Sequence, residues 1–470
     1  MPTATIVGSG PNGLAAAVVL ARAGLTVTVI EARETIGGGT RTEQLTVPGL
    51  LHDVCSAVHP LAVGSPFLRG LGLDRHGLEW CWPEVDLAHP LDDGRAGVLV
   101  RSLDETVAGL GTDGPAWRRL FERQAQRFED LTADVLRPIA HVPEHPLLLA
   151  DFGLHALQPA SWLVRRWRDE PARGLFGGVA AHSFRPLTSP TSGSVGLALA
   201  LSAHRFGWPV ARGGSQAITD ALAADLRQHG GTVETDRTVT SLDELGADIV
   251  LLDLAPRGVL QVAGDRLPAR IKRAYRRYRY GPAAFKVDLA VEGGVPWTNE
   301  ASRRAGTVHL GGTFEQVADA EAQVCAGRMP QRPFVLVGQQ YLADSSRSAG
   351  DVHPVWSYAH VPHGYDGDAT EAVLAQFERF APGTRDRIVA QAVRRPVEFE
   401  AYNPNFVGGD ISAGANDPVQ LLLRPRVAVD PYRTGIPGVF ICSAATPPGA
   451  GVHGMCGANA AASALRYLGR

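Results

Sequence analysis

Three glycines near the start of the chain limit its fold more than any other feature. Gly8-x-Gly10-x-x-Gly13 stands between a short apolar strand over residues 3–8 and a helical stretch from Asn12 to Ala23. The first glycine permits a tight turn, and the second lets a pyrophosphate approach the backbone. The third lets helix and strand pack closely, and the helix N-terminus faces the negative charge. Leu25 to Glu31 alternates as a second strand, and Glu31 follows Gly13 by eighteen residues. A carboxylate at that point accepts hydrogen bonds from an adenosine ribose. Gly8, Gly10, Pro11, Asn12, Gly13, Glu31, Ala32 and Arg33 are therefore assigned to a dinucleotide.

The next segment argues for FAD over NAD. Gly37-Gly38-Gly39-Thr40-Arg41-Thr42 matches the glycine doublet and hydroxyl found after the second strand in many FAD enzymes. Gly38, Gly39 and Thr40 expose backbone N–H groups and Arg41 faces phosphate; the plainer reading is a flexible turn. Near the C-terminus, Ser443 to Gly457 is a Gly-Pro turn running into a helix. Its dipole suits negative charge on a reduced flavin, which assigns Ser443, Gly451, Val452, His453, Gly454 and Met455. Alone, that turn also reads as a tight bend before a packed helix. Gly109-x-Gly111-x-x-Gly114 is a formal second match, but it follows a helical stretch, so no second nucleotide site is assigned.

At 470 residues, 45% hydrophobic and 20% charged, the chain has the composition of a globular protein with two associated domains. A net charge of −3 does not call for nucleic acid. The five cysteines are odd in number and widely spaced, which speaks against a disulfide framework or zinc site and for a reduced, cytoplasmic setting. No secretory signal is read at the N-terminus. The apolar run Leu14–Ala21 falls short of the roughly 20 residues that span a bilayer. Only Lys272 and Lys286 are lysines among 45 basic residues. That bias reads as drift in a GC-rich, bacterial genome, and it makes each surviving lysine informative.

The expected fold class is α/β: a Rossmann-like FAD domain, a parallel sheet with helices, interleaved with a mixed-sheet and helical substrate domain. The FAD domain is assigned to 1–75, 205–265 and 425–470. The substrate domain takes 76–204 and 266–424, with a helical excursion over about 102–180. Helices are expected over 213–229, 371–380 and 452–467. Strands are expected over 232–242, 249–254, 283–291, 334–341, 355–361 and 439–443.

With these motifs in place, the chain resembles the phytoene dehydrogenase-like family of FAD enzymes, within the carotenoid desaturase and amine oxidase superfamily. The likeness is strongest to the branch of pyridine nucleotide-disulphide oxidoreductase domain-containing protein 2. It is carried by Gly8–Gly13, Asp53 to Pro60, Gly207-Trp208-Pro209 through Ser215, Tyr280 to Asp288, Trp356 to Pro362, and Thr446 to Gly457. The resemblance implies bound FAD and redox chemistry on an apolar substrate. It places the backbone of Val239 at the adenine and Ala255-Pro256 beside the cofactor. Two departures stand out. Gly39-Thr-Arg41 replaces the usual Gly-Arg, and Cys442-Ser443 replaces Gly-Asp, so the usual acid near the pyrophosphate is missing.

In Ala284–Ala290, alternation puts Lys286 and Asp288 on one face and Phe285, Val287 and Leu289 on the other. Lysine loses its proton when desolvated, unlike arginine, so Lys286 is the leading catalytic candidate, as a base or as a cation beside flavin N5. The plainer reading is an ion pair with Asp288 on a wet sheet face. His453 and His59 are the other catalytic candidates. His182, His204, Trp208, Asp288, Trp356, Tyr358 and His360 are assigned to the substrate pocket. No metal site is read.

The run His145–Leu149 and the segment Trp162 to Arg168 suit a helical lid, or peripheral contact with a membrane. The expected reaction is hydride removal from a C–H bond of a lipophilic substrate to form a double bond, with oxygen or a quinone-like compound as acceptor. Flavin-dependent amine oxidation, redox-neutral isomerisation and lipid carriage without catalysis are the alternatives.

Overall fold

The glycine loop is a strand-to-helix turn. In the computed structural model, which describes residues 1–470, Thr3–Val7 pairs in parallel with Thr26–Ile30 and with Ile249–Leu252. Val439–Ile441 and Thr232–Glu234 complete a five-stranded parallel sheet. Such sheets are covered on both faces, so their strands are almost wholly apolar. On one face Ile6, Val27 and Leu251 pack with Leu14, Leu222 and Ala461, which come from the helices Pro11–Arg22, Gln216–Gln228 and Met455–Tyr467. On the other, Val7, Val250 and Leu252 pack with Val259 and Ile271. Gly13 shows why its position excludes a side chain: a Cβ there would lie 2.1 Å from the Gly8 carbonyl oxygen.

A second, seven-stranded sheet runs in the order Ile388–Arg394, Ala283–Glu292, Val352–Val361, Val335–Gly338, Ala305–Leu310, Val85–Pro90, Ala96–Leu99. It is mixed: 305–310 is parallel to 85–90 and the other pairs are antiparallel. Phe285, Val287 and Leu289 face a core with Trp297, Val373 and Phe377. The opposite face carries Trp356 and Tyr358 into the core of a helical layer built between Leu103 and Phe206. That layer continues past 180 because Ser192–Phe206 packs on Glu170–Ala181; a Cβ at Gly196 would come within 3.1 Å of Ala180.

The strand expected over 232–242 stops at Glu234. Asp236 takes a left-handed φ of 57°, and Ser241 caps a short turn with Glu244. The strands 85–90, 96–99, 305–310 and 388–394 were not anticipated. In Val85-Asp-Leu-Ala-His-Pro90 the polar residues and the proline hide the strand, although all six are buried.

One buried guanidinium ties distant segments together. Arg347 Nη1 donates to Asp53 Oδ2 at 2.5 Å, Nη2 to Ala211 O at 2.7 Å, and Nε to Asp344 Oδ2 at 3.3 Å. Asp53 also accepts from Thr42 Oγ1 and Ser215 N, at 2.8 and 2.7 Å. Burial alone would raise the Asp53 carboxyl; Arg347 and these donors outweigh it and the net shift is downward. Removing one partner of such a pair strands uncompensated charge. Arg347→Met should therefore lower the unfolding free energy by about 3–5 kcal/mol, read from denaturant midpoints. A change within about 0.5 kcal/mol would show that the pair is not structural.

Candidate active site

The carboxyl ends of the parallel strands open into a cleft of about 510 Å³. Open α/β sheets take ligands at this edge. Gly8, Gly10, Pro11 and Asn12 line it from the first loop, and Glu31, Ala32 and Arg33 from the second strand end. Gly38, Gly39, Thr40 and Arg41 follow, and Val239, Ala255, Ser443, Gly451 and Val452 close it. Gly13, Pro256, His453, Gly454 and Met455 stand behind this wall. Gly13 packs on Gly8, Pro256 opens the helix Pro256–Ala263, and a Cβ at Gly454 would sit 2.8 Å from the Phe67 ring.

Glu31 is held tightly. Its Oε2 accepts from Ser9 N at 3.0 Å and Ser9 Oγ at 2.6 Å, and its Oε1 from Arg33 N at 3.0 Å and Arg41 Nη2 at 3.2 Å. Arg41 is spent on Glu31 and on Thr35 O, 2.6 Å away, with its guanidinium 5.3 Å from the Tyr402 ring centre. It is thus a brace of the loop more than a free phosphate ligand. Ser443, in place of the usual acid, donates to Leu254 O at 2.8 Å.

Sequence reasoning missed Asp253. Its Oδ2 accepts from Gly13 N at 3.0 Å, and a Cβ at Gly10 would lie 2.8 Å from the same oxygen. Burial, aided by Glu31, pushes this carboxyl up to about 7 against the helix-start amide that draws it down. The signal was available: an acid ends the apolar run Ile249–Leu252 at the ligand edge of a parallel strand. Tyr402, Asn405, Phe406, Ile411 and Ala413 also line the cleft. They come from a segment assigned by sequence to the other domain. Asn405 stitches it in, accepting from Ala255 N at 2.7 Å and donating to Asp253 O at 3.0 Å.

The cleft meets the second sheet at Cys55, which lines it and whose carbonyl accepts from Trp356 Nε1 at 3.1 Å. Behind Trp356 lies Lys286, with Nζ 5.8 Å from that ring and in contact with Asp288. The ion pair is real but the face is dry: Lys286 and Asp288 are both buried. Burial draws the Lys286 ammonium down, and Asp288 partly offsets this. His52 Nδ1 is 3.5 Å from the other Asp288 oxygen.

From Trp356 a run of rings crosses the sheet face. Tyr358 is 5.0 Å from Trp356, His360 5.7 Å from Tyr358, Phe334 5.3 Å from His360, and His309 5.3 Å from Phe334. His182 and Trp208 lie 5.1 and 6.2 Å from His309. The Nε2 atoms of His182 and His309 are within hydrogen-bond distance, 3.1 Å apart. Burial pushes His182 down to about 3 and His89 to about 4, and holds His309 lower than usual as well, so these three rings are neutral at neutral pH. His89 and His309 escaped the sequence reading because neighbours from separate strands create the cluster.

Three assigned histidines sit elsewhere. His204 accepts from Trp117 Nε1 at 2.9 Å inside the helical layer. His59 pairs with Ser215 Oγ at 2.7 Å against Trp80, and burial takes it down to about 4. His453 Nδ1 accepts from Met455 N at 3.0 Å, so its ring caps the last helix.

With this geometry in hand, comparison with known proteins is informative. A model described as an NAD(P)-binding Rossmann-like domain matches residues 6–66. Pyridine nucleotide-disulfide oxidoreductase domain-containing protein 2 of Mus musculus is 25% identical over 99% of this chain and 93% of its own. Hydroxyneurosporene desaturase of Cereibacter sphaeroides is 25% identical over 100% of this chain and 98% of its own. The chain is thus an oxidoreductase similar to flavin-dependent desaturases and amine oxidases. Its fold is shared with putrescine oxidase, at a TM-score of 0.61 and 20% identity, covering 100% of this chain and 99% of that one. The oxidoreductase fold thus puts a dinucleotide cleft against an aromatic sheet face.

A pH dependence follows from Asp253. Its folded-state value is about 7 against an unfolded 3.8, so ionising it costs folding stability as pH rises between those values. Asp253→Asn keeps an acceptor for Gly13 N–H and removes that cost. The variant's advantage in unfolding free energy should grow by about 1.4 kcal/mol per pH unit up to about pH 7 and then level off. A constant difference from pH 5 to pH 8 would refute the assignment.

Proposed function

We propose that this oxidoreductase binds FAD in the cleft and removes hydride from a C–H bond of a lipophilic organic substrate, forming a double bond. Oxygen or a quinone-like compound would take the electrons. The observation that carries this reading is the junction at Cys55 and Trp356, where the cleft wall is hydrogen-bonded to an aromatic face whose carboxylates are already paired.

The residues present fit the cofactor. The backbone cradle at Gly10 has no room for a side chain, and Asn12 Oδ1 is buried there without a protein partner. Gly8, Gly10 and Asn12 would hold the pyrophosphate, Glu31 and Ser9 the ribose, Val239 the adenine, and Gly451 and Val452 the ring system. When bound, FAD supplies the hydride acceptor. Asp253, neutral below about pH 7, spares a pyrophosphate a second negative charge. Trp356, Tyr358 and Phe334 offer apolar surface and exclude water. The carboxylates on this face, Asp288 and Glu321, are already engaged by Lys286 and His360. That favours a neutral substrate over an ammonium. Lys286 supplies a desolvated amine one ring behind the cleft wall, where its charge positions Trp356 and biases the field at the reacting end.

Acid precipitation of the purified protein should release free FAD into the supernatant. A colourless protein that takes up no added FAD would overturn the proposal. Anaerobic NADH or NADPH should leave the oxidised absorbance intact, because only one strand-turn-helix nucleotide site is present; rapid bleaching would contradict this.

Lys286→Met should slow a half-reaction at least tenfold, a loss of about 1.4 kcal/mol in transition-state stabilisation. The double variant Lys286→Met, Asp288→Asn removes the stranded carboxylate and guards against misfolding. Lys286→Arg should rescue an electrostatic role in part and a base role not at all. Unchanged rates in the folded, FAD-loaded double variant would reduce Lys286 to an ion-pairing residue.

A further inference from the structure

The helical layer contains one helix that is apolar on both sides. In Pro146–Ala156, Leu148, Phe152 and Ala156 point inward and are buried. The outward positions are Leu147, Ala150 and Leu154, and the stripe continues onto Leu157 at the C-cap. Leu147 is 80% exposed, Leu154 69% and Leu157 58%. These spacings of three and four residues place them on one stripe. A surface helix normally turns charged residues outward, so this stripe is inverted.

The stripe has apolar neighbours. The preceding loop presents Val142 at 89% and Ile139 at 57% exposure, and the following helix presents Trp162 at 56%. An exposed apolar stripe of this kind marks an interaction site.

The charges left without a partner at its rim are positive. Arg165 and Arg166 follow Trp162 and are exposed without a carboxylate partner, whereas nearby Arg173 pairs with Glu170 and Glu315. Glu144, the exposed acid of the loop, is neutralised by Arg137 at 2.7 Å. Asp151 is turned sideways onto Gln124 Nε2, 3.1 Å away. Exposed leucines with a tryptophan and arginines that have no acid partner are the composition of an interfacial surface, with the arginines suited to anionic headgroups. The helix is about 16 Å long, enough to lie in the interface and too short to cross it.

We infer that this face, the Leu147–Leu157 stripe with Val142, Trp162, Arg165 and Arg166, seats the protein on an anionic lipid surface. A second copy of the chain is the competing occupant, and it would need free acidic residues opposite the arginines, whereas Glu144 and Asp151 on this face are already engaged by Arg137 and Gln124. The inference does not depend on the reaction proposed above, since none of these residues borders the cofactor cleft.

The test is flotation of the purified full chain with vesicles of phosphatidylcholine containing phosphatidylglycerol, and with phosphatidylcholine alone. The parent should float with the mixed vesicles and less so in high salt. Leu147→Glu with Leu154→Glu should cut the bound fraction at least tenfold. Because both side chains are exposed, the variant should keep the parent's Tm and FAD content. Arg165→Gln with Arg166→Gln should abolish the preference for the anionic vesicles. The inference is overturned if the parent does not float, or if the glutamate variant floats as well as the parent. It is also overturned if the parent is a dimer in lipid-free buffer that the glutamates convert to a monomer, since a second copy then occupies the face.

Discussion

The Arg347 guanidinium is the charged centre of a buried knot that joins three segments distant in sequence. It joins Asp53, just before the cleft residue Cys55, to Asp344, beyond the strand Val335–Gly338, and to the carbonyl of Ala211, ahead of the helix Gln216–Gln228. In the dry interior this geometry is required, because two buried carboxylates with one cation tolerate little displacement. The consequence is functional. With Asp53 fixed, Cys55 is fixed, and through its carbonyl so is Trp356. The cofactor cleft and the sheet face are held in register by charge in one place and by a single indole hydrogen bond in the next.

Two acids near the glycine loop show how environment divides one chemistry into two roles. Glu31 receives four donors and serves as a hub of the loop. Asp253 has one backbone donor, Gly13 N–H, and a second carboxylate nearby, so its proton leaves only near neutrality. Full donor coordination stabilises a carboxylate, while burial with a single amide does not. The histidine wall follows the same rule: His89, His182 and His309, crowded together from separate strands and a helix, are desolvated and stay neutral.

The helical layer is asymmetric in a way that mirrors this interior. Its inner side closes the aromatic face with Trp117, Phe121 and Phe176. Its outer side leaves the leucines of Pro146–Ala156 uncovered. Water does not tolerate such a stripe for free, at about 25 cal/mol per Å² of apolar area, so it is the part of the surface with the most to gain from a partner.

The sequence alone determined the turn, the first parallel strands, the carboxylate at residue 31 and the alternation that separates Lys286 from Phe285. These are local: a glycine without Cβ, an acid at a strand end and a two-residue period each act within a few residues. What only the tertiary structure decided lies at contacts between distant segments. Asn405 brings the 402–413 segment into the cleft, Trp356 meets the carbonyl of Cys55, and His309 joins His182. Likewise the strand Val85–Pro90 is invisible in a segment holding Asp86, His89 and Pro90, and forms because its neighbours on both sides supply the ladder and exclude water. A side chain's chemistry is written in its residue type, but its charge, partners and exposure are set by what folds against it, and here those neighbours are more than a hundred residues away.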